Sequence, residues 1–166
     1  MMNDLSWLGI SKEALFKATK QPIRGFKRIS TNSTENFQMP RRATKGSAGY
    51  DFFNNSGRDL YIEPKSSLII STDISSYMLE DEVLKIYPRS SLGFKYNVRI
   101  KNSIPIIDAD YCFPNEIKIA LYNDSLEVVV IKAGQAFCQG IFQKYLLADG
   151  DEASEERTGG IGSTDK

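Results

Sequence analysis

The sequence predicts an all-β fold, a barrel or sandwich of short strands, with a short helical appendage in front and an extended arm behind. Three observations predict it. From Phe26 onward the chain is a succession of short β-like runs, DLYIEP, SSLIIST, VLKIYPR, VRIKNSIPIID, EIKIALYN, LEVVVIK and AFCQGIFQKY, separated by turn residues. Repeated short strands with regular turn signals mark a barrel or sandwich rather than a helical bundle. Within EIKIALY, Ile117, Ile119 and Leu121 fall on one face and Lys118 and Ala120 on the other, the period of a half-buried strand. The ends of the chain carry neither pattern.

Residues 1–24 form the appendage: SWLGISKEALFKATK is rich in helix formers until Gln21-Pro22 interrupts it. Three readings stay open for it: a helix packed on its own domain, a partner-binding peptide, or a fusion remnant. Residues 25–148 form the β domain, and the run VVVI at 128–131 reads as a strand buried on both faces. Residues 149–166 form the arm, acidic through DGDEASEE and then glycine-rich through RTGGIGSTDK. Such a tail has no core-forming pattern. Its composition suits a disordered terminus, and equally a stretch of backbone that closes over a phosphate chain.

The length of 166 residues fits one domain, and 41% hydrophobic with 25% charged residues suits a globular protein. Lys plus Arg number 21 and Asp plus Glu number 21, so no net field draws the chain to nucleic acid and any phosphate binding is local. There is no histidine. Imidazole is thereby excluded as base, nucleophile or metal ligand, leaving carboxylates, Lys, Tyr, Ser and Cys. Cys112 and Cys138 lack metal-ligand spacing and read as two buried, reduced thiols. Without a basic segment leading into an apolar run, or any stretch of about twenty apolar residues, the expectation is a cytoplasmic protein with no membrane contact.

Two segments carry candidate chemistry. In YPRSSLGFK (87–95) a strand ends at Pro88, followed by Arg89, Ser90 and Ser91; a guanidinium, hydroxyls and backbone N–H groups at a strand end form a small anion site, although the same residues also fill ordinary turns. In IKNSIPIIDADY (100–111) a hairpin-like segment carries Asp108, Asp110 and Tyr111. With no histidine present, Asp108 is the candidate general base for water. Asp110 also reads as a surface acid, and Tyr111 also as a core aromatic with its hydroxyl in water.

These segments belong to a larger pattern. MPRRATKGSAGYDFF (39–53), YPRSSLGFK, IIDADY, KAGQAFCQGIF (132–142) and TGGIGST (158–164) resemble, in order, the five motifs of the trimeric dUTPase family, over about residues 26–166. The resemblance implies a jelly-roll-like β fold, a homotrimer with active sites shared at subunit boundaries, and a C-terminal arm that closes a neighbouring subunit's site. It implies hydrolysis of dUTP to dUMP and pyrophosphate by attack of water on the α-phosphorus.

By position, Asp108 matches the family's water-activating carboxylate and Tyr111 the aromatic that packs on deoxyribose. Asn102 and Ile107 fall in the uracil-reading hairpin. Cytosine would leave buried groups there unpaired, at roughly 1 to 3 kcal/mol each. Arg89, Ser90, Ser91 and Gln139 match phosphate-side positions, Asp51 a supporting acid, and Arg157, Gly159, Gly160, Ile161, Ser163 and Thr164 the closing tail. Mg2+ is expected on the triphosphate oxygens and water rather than in a protein cage.

The chain departs from the family at several positions. Ile161 replaces an aromatic, Pro105 and Ser91 replace glycines, and Glu156 rather than Arg157 aligns with the tail arginine. CFPNE (112–116) is about two residues longer than the usual turn. Two other functions compete. A related dCTP deaminase shares the Arg-Ser-Ser motif but needs a glutamate where Ala120 stands. An interaction module would use residues 1–24 or the Cys112–Glu116 loop to contact a protein partner.

Overall fold

A computed structural model of the chain describes residues 22–31, 36–111, 113–155, 157 and 159, and these are mostly antiparallel β structure. The predicted appendage lies almost wholly outside the described residues. Four small sheets account for the strands. The largest joins, in spatial order, β2 (Tyr50–Phe53), β11 (Ala136–Lys144), β6 (Glu82–Pro88) and β8 (Ile106–Asp108). A second joins β4 (Ser67–Ser71), β9 (Lys118–Asn123) and β7 (Val98–Ile100). Two ribbons complete the set: β1 (Gly25–Arg28) with β5 (Ile74–Tyr77), and β3 (Leu60–Ile62) with β10 (Val129–Ile131).

Alternation along these strands builds one core. Phe52, Leu84, Ile86, Ile107 and Cys138 of the four-stranded sheet meet Ile70, Val98, Ile100, Ile119 and Leu121 of the three-stranded one, with Ile62, Val129 and Ile131 closing an edge. Each such aliphatic or aromatic side chain contributes about 1.5–3 kcal/mol on burial. Gly140 lies in the same layer because nothing larger fits: a Cβ there would stand 2.9 Å from Leu84 Cδ1 and 3.0 Å from Phe52 Cε2.

Buried polar groups staple the ribbons. Asn54 donates from Nδ2 to the carbonyls of Arg58 (2.8 Å) and Ile131 (3.0 Å), while its Oδ1 accepts from the Ser56 backbone N–H and hydroxyl. Asn123 repeats this arrangement with Ile62, Glu127 and Ser125. Both asparagines are buried, and each staple leaves its carboxamide satisfied. At the start of β6, buried Glu82 takes Nη2 of Arg24 at 2.6 Å and the Leu79 N–H at 3.2 Å, so the charge is paired.

Every predicted β run contains a strand, and Ile117, Ile119 and Leu121 are indeed buried on one face. The reading of 128–131 as buried on both faces is corrected: Val129 and Ile131 are buried while Val128 and Val130 are exposed, since β10 is the outer member of a two-stranded ribbon. The helix α1 (Ser90–Tyr96), unforeseen in the sequence, follows β6 directly. Asn97 ends it in the left-handed region, donating its N–H to the Gly93 carbonyl, a conformation asparagine tolerates. Among the described residues, no helix is long and apolar enough to cross a membrane.

Candidate active site

The four-stranded sheet has one apolar and one polar face. Phe52, Cys138, Ile86 and Leu84 point inward; Asp51, Gln139, Tyr87 and Val83 alternate with them and lie on the other face. Both groups of candidate residues are on that outer face, at opposite ends of β6.

At the end where β6 stops, Asp51 of β2, Gln139 of β11 and Tyr87 of β6 are direct cross-strand partners. Arg41 extends the row: its N–H donates to the Asp51 carbonyl and its carbonyl accepts from the Asp51 N–H at 2.8 Å. Arg89 is the N-cap of α1, extended at φ −74° and ψ 142°. That turn swings its Nε to 3.4 Å from Asp51 Oδ1. Asp51 is largely buried and Arg89 partly open, so the carboxylate orients a guanidinium whose other edge faces solvent. Gln139 donates from Nε2 to the Pro88 carbonyl at 3.4 Å. Ser90 and Ser91 are exposed beside Arg89. Guanidinium, carboxamide and hydroxyls so gathered make a donor-rich corner of the kind that can receive an anion.

Gly49, which the sequence reading did not single out, makes room for this corner. A Cβ on it would stand 2.3 Å from Gln139 Oε1 and 3.1 Å from Gln139 Cβ. The signal was a glycine two positions before Asp51, on the same side of the strand.

Behind the corner sits the Cys138 thiol, wholly buried; burial and then the charge of Asp51 push it well above its ordinary value. It is a packing residue, not a nucleophile. Cys112 lies outside the described residues.

At the other end, β8 pairs with β6 so that Asp108 stands opposite Val83 and Ile107 opposite Leu84. Asp108 is half exposed, and its carbonyl accepts from the Tyr111 N–H at 3.0 Å, closing a tight turn that brings Asp110 and Tyr111 alongside. Arg157 bridges the two acids, with Nη2 2.6 Å from Asp108 Oδ2 and Nε 2.8 Å from Asp110 Oδ1. Its guanidinium lies 5.7 Å from the centre of the Tyr111 ring. The hydrogen bond it donates to Asp110 holds Arg157 above its ordinary value against the opposing effect of desolvation. Tyr111 packs against the core and its hydroxyl, instead of meeting water, donates to the Glu116 carbonyl at 2.9 Å.

The hairpin between β7 and β8 exposes Asn102 and turns at Ser103, whose φ is +66°. Pro105 is accommodated by its carbonyl, which accepts the Ile86 N–H at 3.1 Å and extends the ladder to β6 beyond β8. Ile107 sends its side chain into the core, so only its backbone is left to meet a ligand. Ala120 lies in β9 opposite Ile69, its carbonyl accepting the Lys101 N–H; no carboxylate is supplied there. Gly159 is described, whereas Gly160, Ile161, Ser163 and Thr164 fall outside the described residues.

Val83 and Pro88 mark the two ends and lie five positions apart on β6. At about 3.4 Å per residue that separates Asp108 from the phosphate corner by about 17 Å. The two groups therefore lie at opposite ends of the strand, beyond direct contact with each other in one chain.

The dUTPase family model matches residues 35–165, a span that takes in Asp51, Arg89, Asp108, Tyr111, Gln139 and Arg157. The chain belongs to the dUTPase family. It is 38% identical over 148 residues to the deoxyuridine 5'-triphosphate nucleotidohydrolase of Lactococcus lactis, covering 86% of this chain and 97% of that protein. It is 31% identical to the enzyme of the same name from Finegoldia magna, covering 82% of this chain and 98% of the relative. The crystal structure of the Streptococcus mutans dUTPase superposes with a TM-score of 0.67 at 33% identity, over 76% of this chain and 99% of that one. The dUTPase of phage phi11 of S. aureus, at 21% identity and a TM-score of 0.64, shares the fold. The jelly-roll expectation is thus met.

Proposed function

We propose that the protein hydrolyses dUTP to dUMP and pyrophosphate, in a homotrimer whose active sites combine the Asp108 end of one chain with the Arg89 corner of another. What supports this reading is that the Asp108 and Arg89 groups lie on one sheet face at opposite ends of β6. Closed rotational symmetry brings such ends together at a subunit boundary, and every subunit then contributes to more than one site.

In this arrangement Tyr111 offers its ring to the deoxyribose and the 101–105 turn offers backbone groups and Asn102 to uracil. Asp108 takes a proton from water as its oxygen attacks the α-phosphorus in line, and the bond to the pyrophosphate oxygen breaks. General-base help of this kind is worth about 10²- to 10⁴-fold. Arg89 and Gln139 meet charge that grows on the departing pyrophosphate. Among the described residues, no three acidic or cysteine side chains converge on a metal position. Mg2+ belongs to the substrate in this reading, entering on the triphosphate oxygens. The tail, rooted at Arg157, covers the phosphates when substrate is present; in its absence Arg157 bridges Asp108 and Asp110.

Subunit mixing tests the shared site. Asp108→Asn and Arg89→Ala are each expected to abolish most dUTP turnover. Unfolded and refolded together in equal amounts, they should recover about a quarter of wild-type activity, because random assembly gives that share of boundaries both intact groups. Recovery no greater than the sum of the separate variants would place both groups in one chain's site.

A further inference from the structure

Arg41 is an arginine for which neither the fold nor the residues already assigned provide a use. It is exposed, and its guanidinium is held in place without being neutralised: Nη2 donates to Gln38 Oε1 at 3.0 Å, and the group lies 4.9 Å over the Phe53 ring. Gln38 is itself fixed, donating from Nε2 to the Gly134 carbonyl and exchanging backbone bonds with the Asn55 carboxamide. Among the described residues, Arg41 makes no ion pair, and neither does Arg42, whose guanidinium donates to the carbonyls of Lys45 and Ser47.

The position matters as much as the charge. Arg41 and Asp51 are antiparallel bridge partners, so their side chains leave the sheet on the same face. Arg89 reaches that carboxylate from the opposite side, and its N–H meets the Phe137 carbonyl, level with Phe52 and Phe53. Arg41 leans toward the same level, over Phe53. Arg41 and Arg89 therefore share the sheet face of Asp51, with only Arg89 in reach of its carboxylate. Asp51 balances one of them and leaves a net positive corner, which suits a ligand with more than one phosphate.

We propose that Arg41 is the second phosphate-binding cation of the site and contacts the pyrophosphate portion of the substrate, beyond the phosphate nearest the sugar. A guanidinium resting on an aromatic ring and an amide oxygen exchanges no strong ion pair when a phosphate arrives, so little of the contact is lost to displacement. The inference rests on the reading of the site as one for dUTP.

The test is binding of dUMP, dUDP and the non-hydrolysable α,β-imido analogue of dUTP, with magnesium, by calorimetry on wild-type protein, Arg41→Ala and Arg41→Lys. Arg41→Ala should weaken the triphosphate analogue by about tenfold or more, the range of a charge-assisted contact, and leave dUMP within about twofold of wild type. Arg41→Lys should fall between, keeping charge but losing the planar fork. Equal weakening of dUMP and the analogue would show that Arg41 only supports the loop, and unchanged binding of all three would remove it from the site; either overturns the proposal. If wild-type protein bound the analogue no better than dUMP, the dUTP reading itself would fail, a result that the wild-type arm alone reports.

Discussion

Replacing Gly49 with alanine perturbs the phosphate corner without touching a charged group. The added Cβ would stand 2.3 Å from Gln139 Oε1, 3.0 Å from its Cδ and 3.1 Å from its Cβ. Contacts with the terminal oxygen alone are relieved by a rotation, but closeness to Gln139 Cβ forces the whole side chain over. The Nε2 bond to the Pro88 carbonyl is lost with it. If Gln139 donates to a substrate phosphate, displacing it removes a hydrogen bond to a charged group, worth about 1.5–3 kcal/mol. Expressed in the transition state, that is about 10- to 150-fold in kcat/KM. The assay is pyrophosphate release from dUTP by Gly49→Ala, Gln139→Ala and the double variant. The double variant should be little worse than either single one, since each removes the same contact. Wild-type kcat/KM in Gly49→Ala, or losses that multiply in the double variant, would refute the reasoning.

Gly140→Ala should destabilise the fold instead, because its Cβ would press on Leu84, Phe52 and Ile86 within the core. Overpacking costs about 1–3 kcal/mol, a fall of roughly 2–12 °C in the thermal midpoint for a domain of this size; an unchanged midpoint in calorimetry would contradict the packing account. Asp73 gives a pH signature. Desolvation raises its carboxyl, but hydrogen bonds from Ser30 and Arg28 outweigh that and hold it below its ordinary value of 3.8. Its contribution to stability is therefore present above that value and lost as pH falls through the lower, folded one. Asp73→Asn should be less stable than wild type in urea at pH 7, with the gap closing toward pH 3; a gap independent of pH would show that the ion pair does not contribute.

Much of this was legible in the sequence because alternation is local. Ile117, Ile119 and Leu121 declare a buried face within five residues, and the residue types around Asp108 and Arg89 suffice to suggest candidate chemistry there. What depended on pairing was not legible. The run VVVI looks uniformly buried, yet only its place in a two-stranded ribbon decides that Val128 and Val130 face solvent. The serines of β5 hide a strand whose burial comes from its partners. In α1, no acidic residue in the first turn and no side-chain cap announce a helix, and Pro88 with two serines reads as a turn. Gly49 and Arg41 acquire meaning only once Asp51 is seen paired with Arg41 on one side and with the sequence-distant Gln139 on the other. The reach of β6, which separates Asp108 from Arg89, is likewise a matter of register.

The most direct test of the account is pyrophosphate release from dUTP, dCTP, dTTP and UTP with magnesium, measured on wild-type protein and Asp108→Asn together. Rapid release from dUTP alone is expected, reduced by at least about 10²-fold in the variant. Near-normal turnover by Asp108→Asn would remove the carboxylate from the mechanism, and no release from any of the four nucleotides by wild-type protein would contradict the assignment of the site as a dUTP hydrolase.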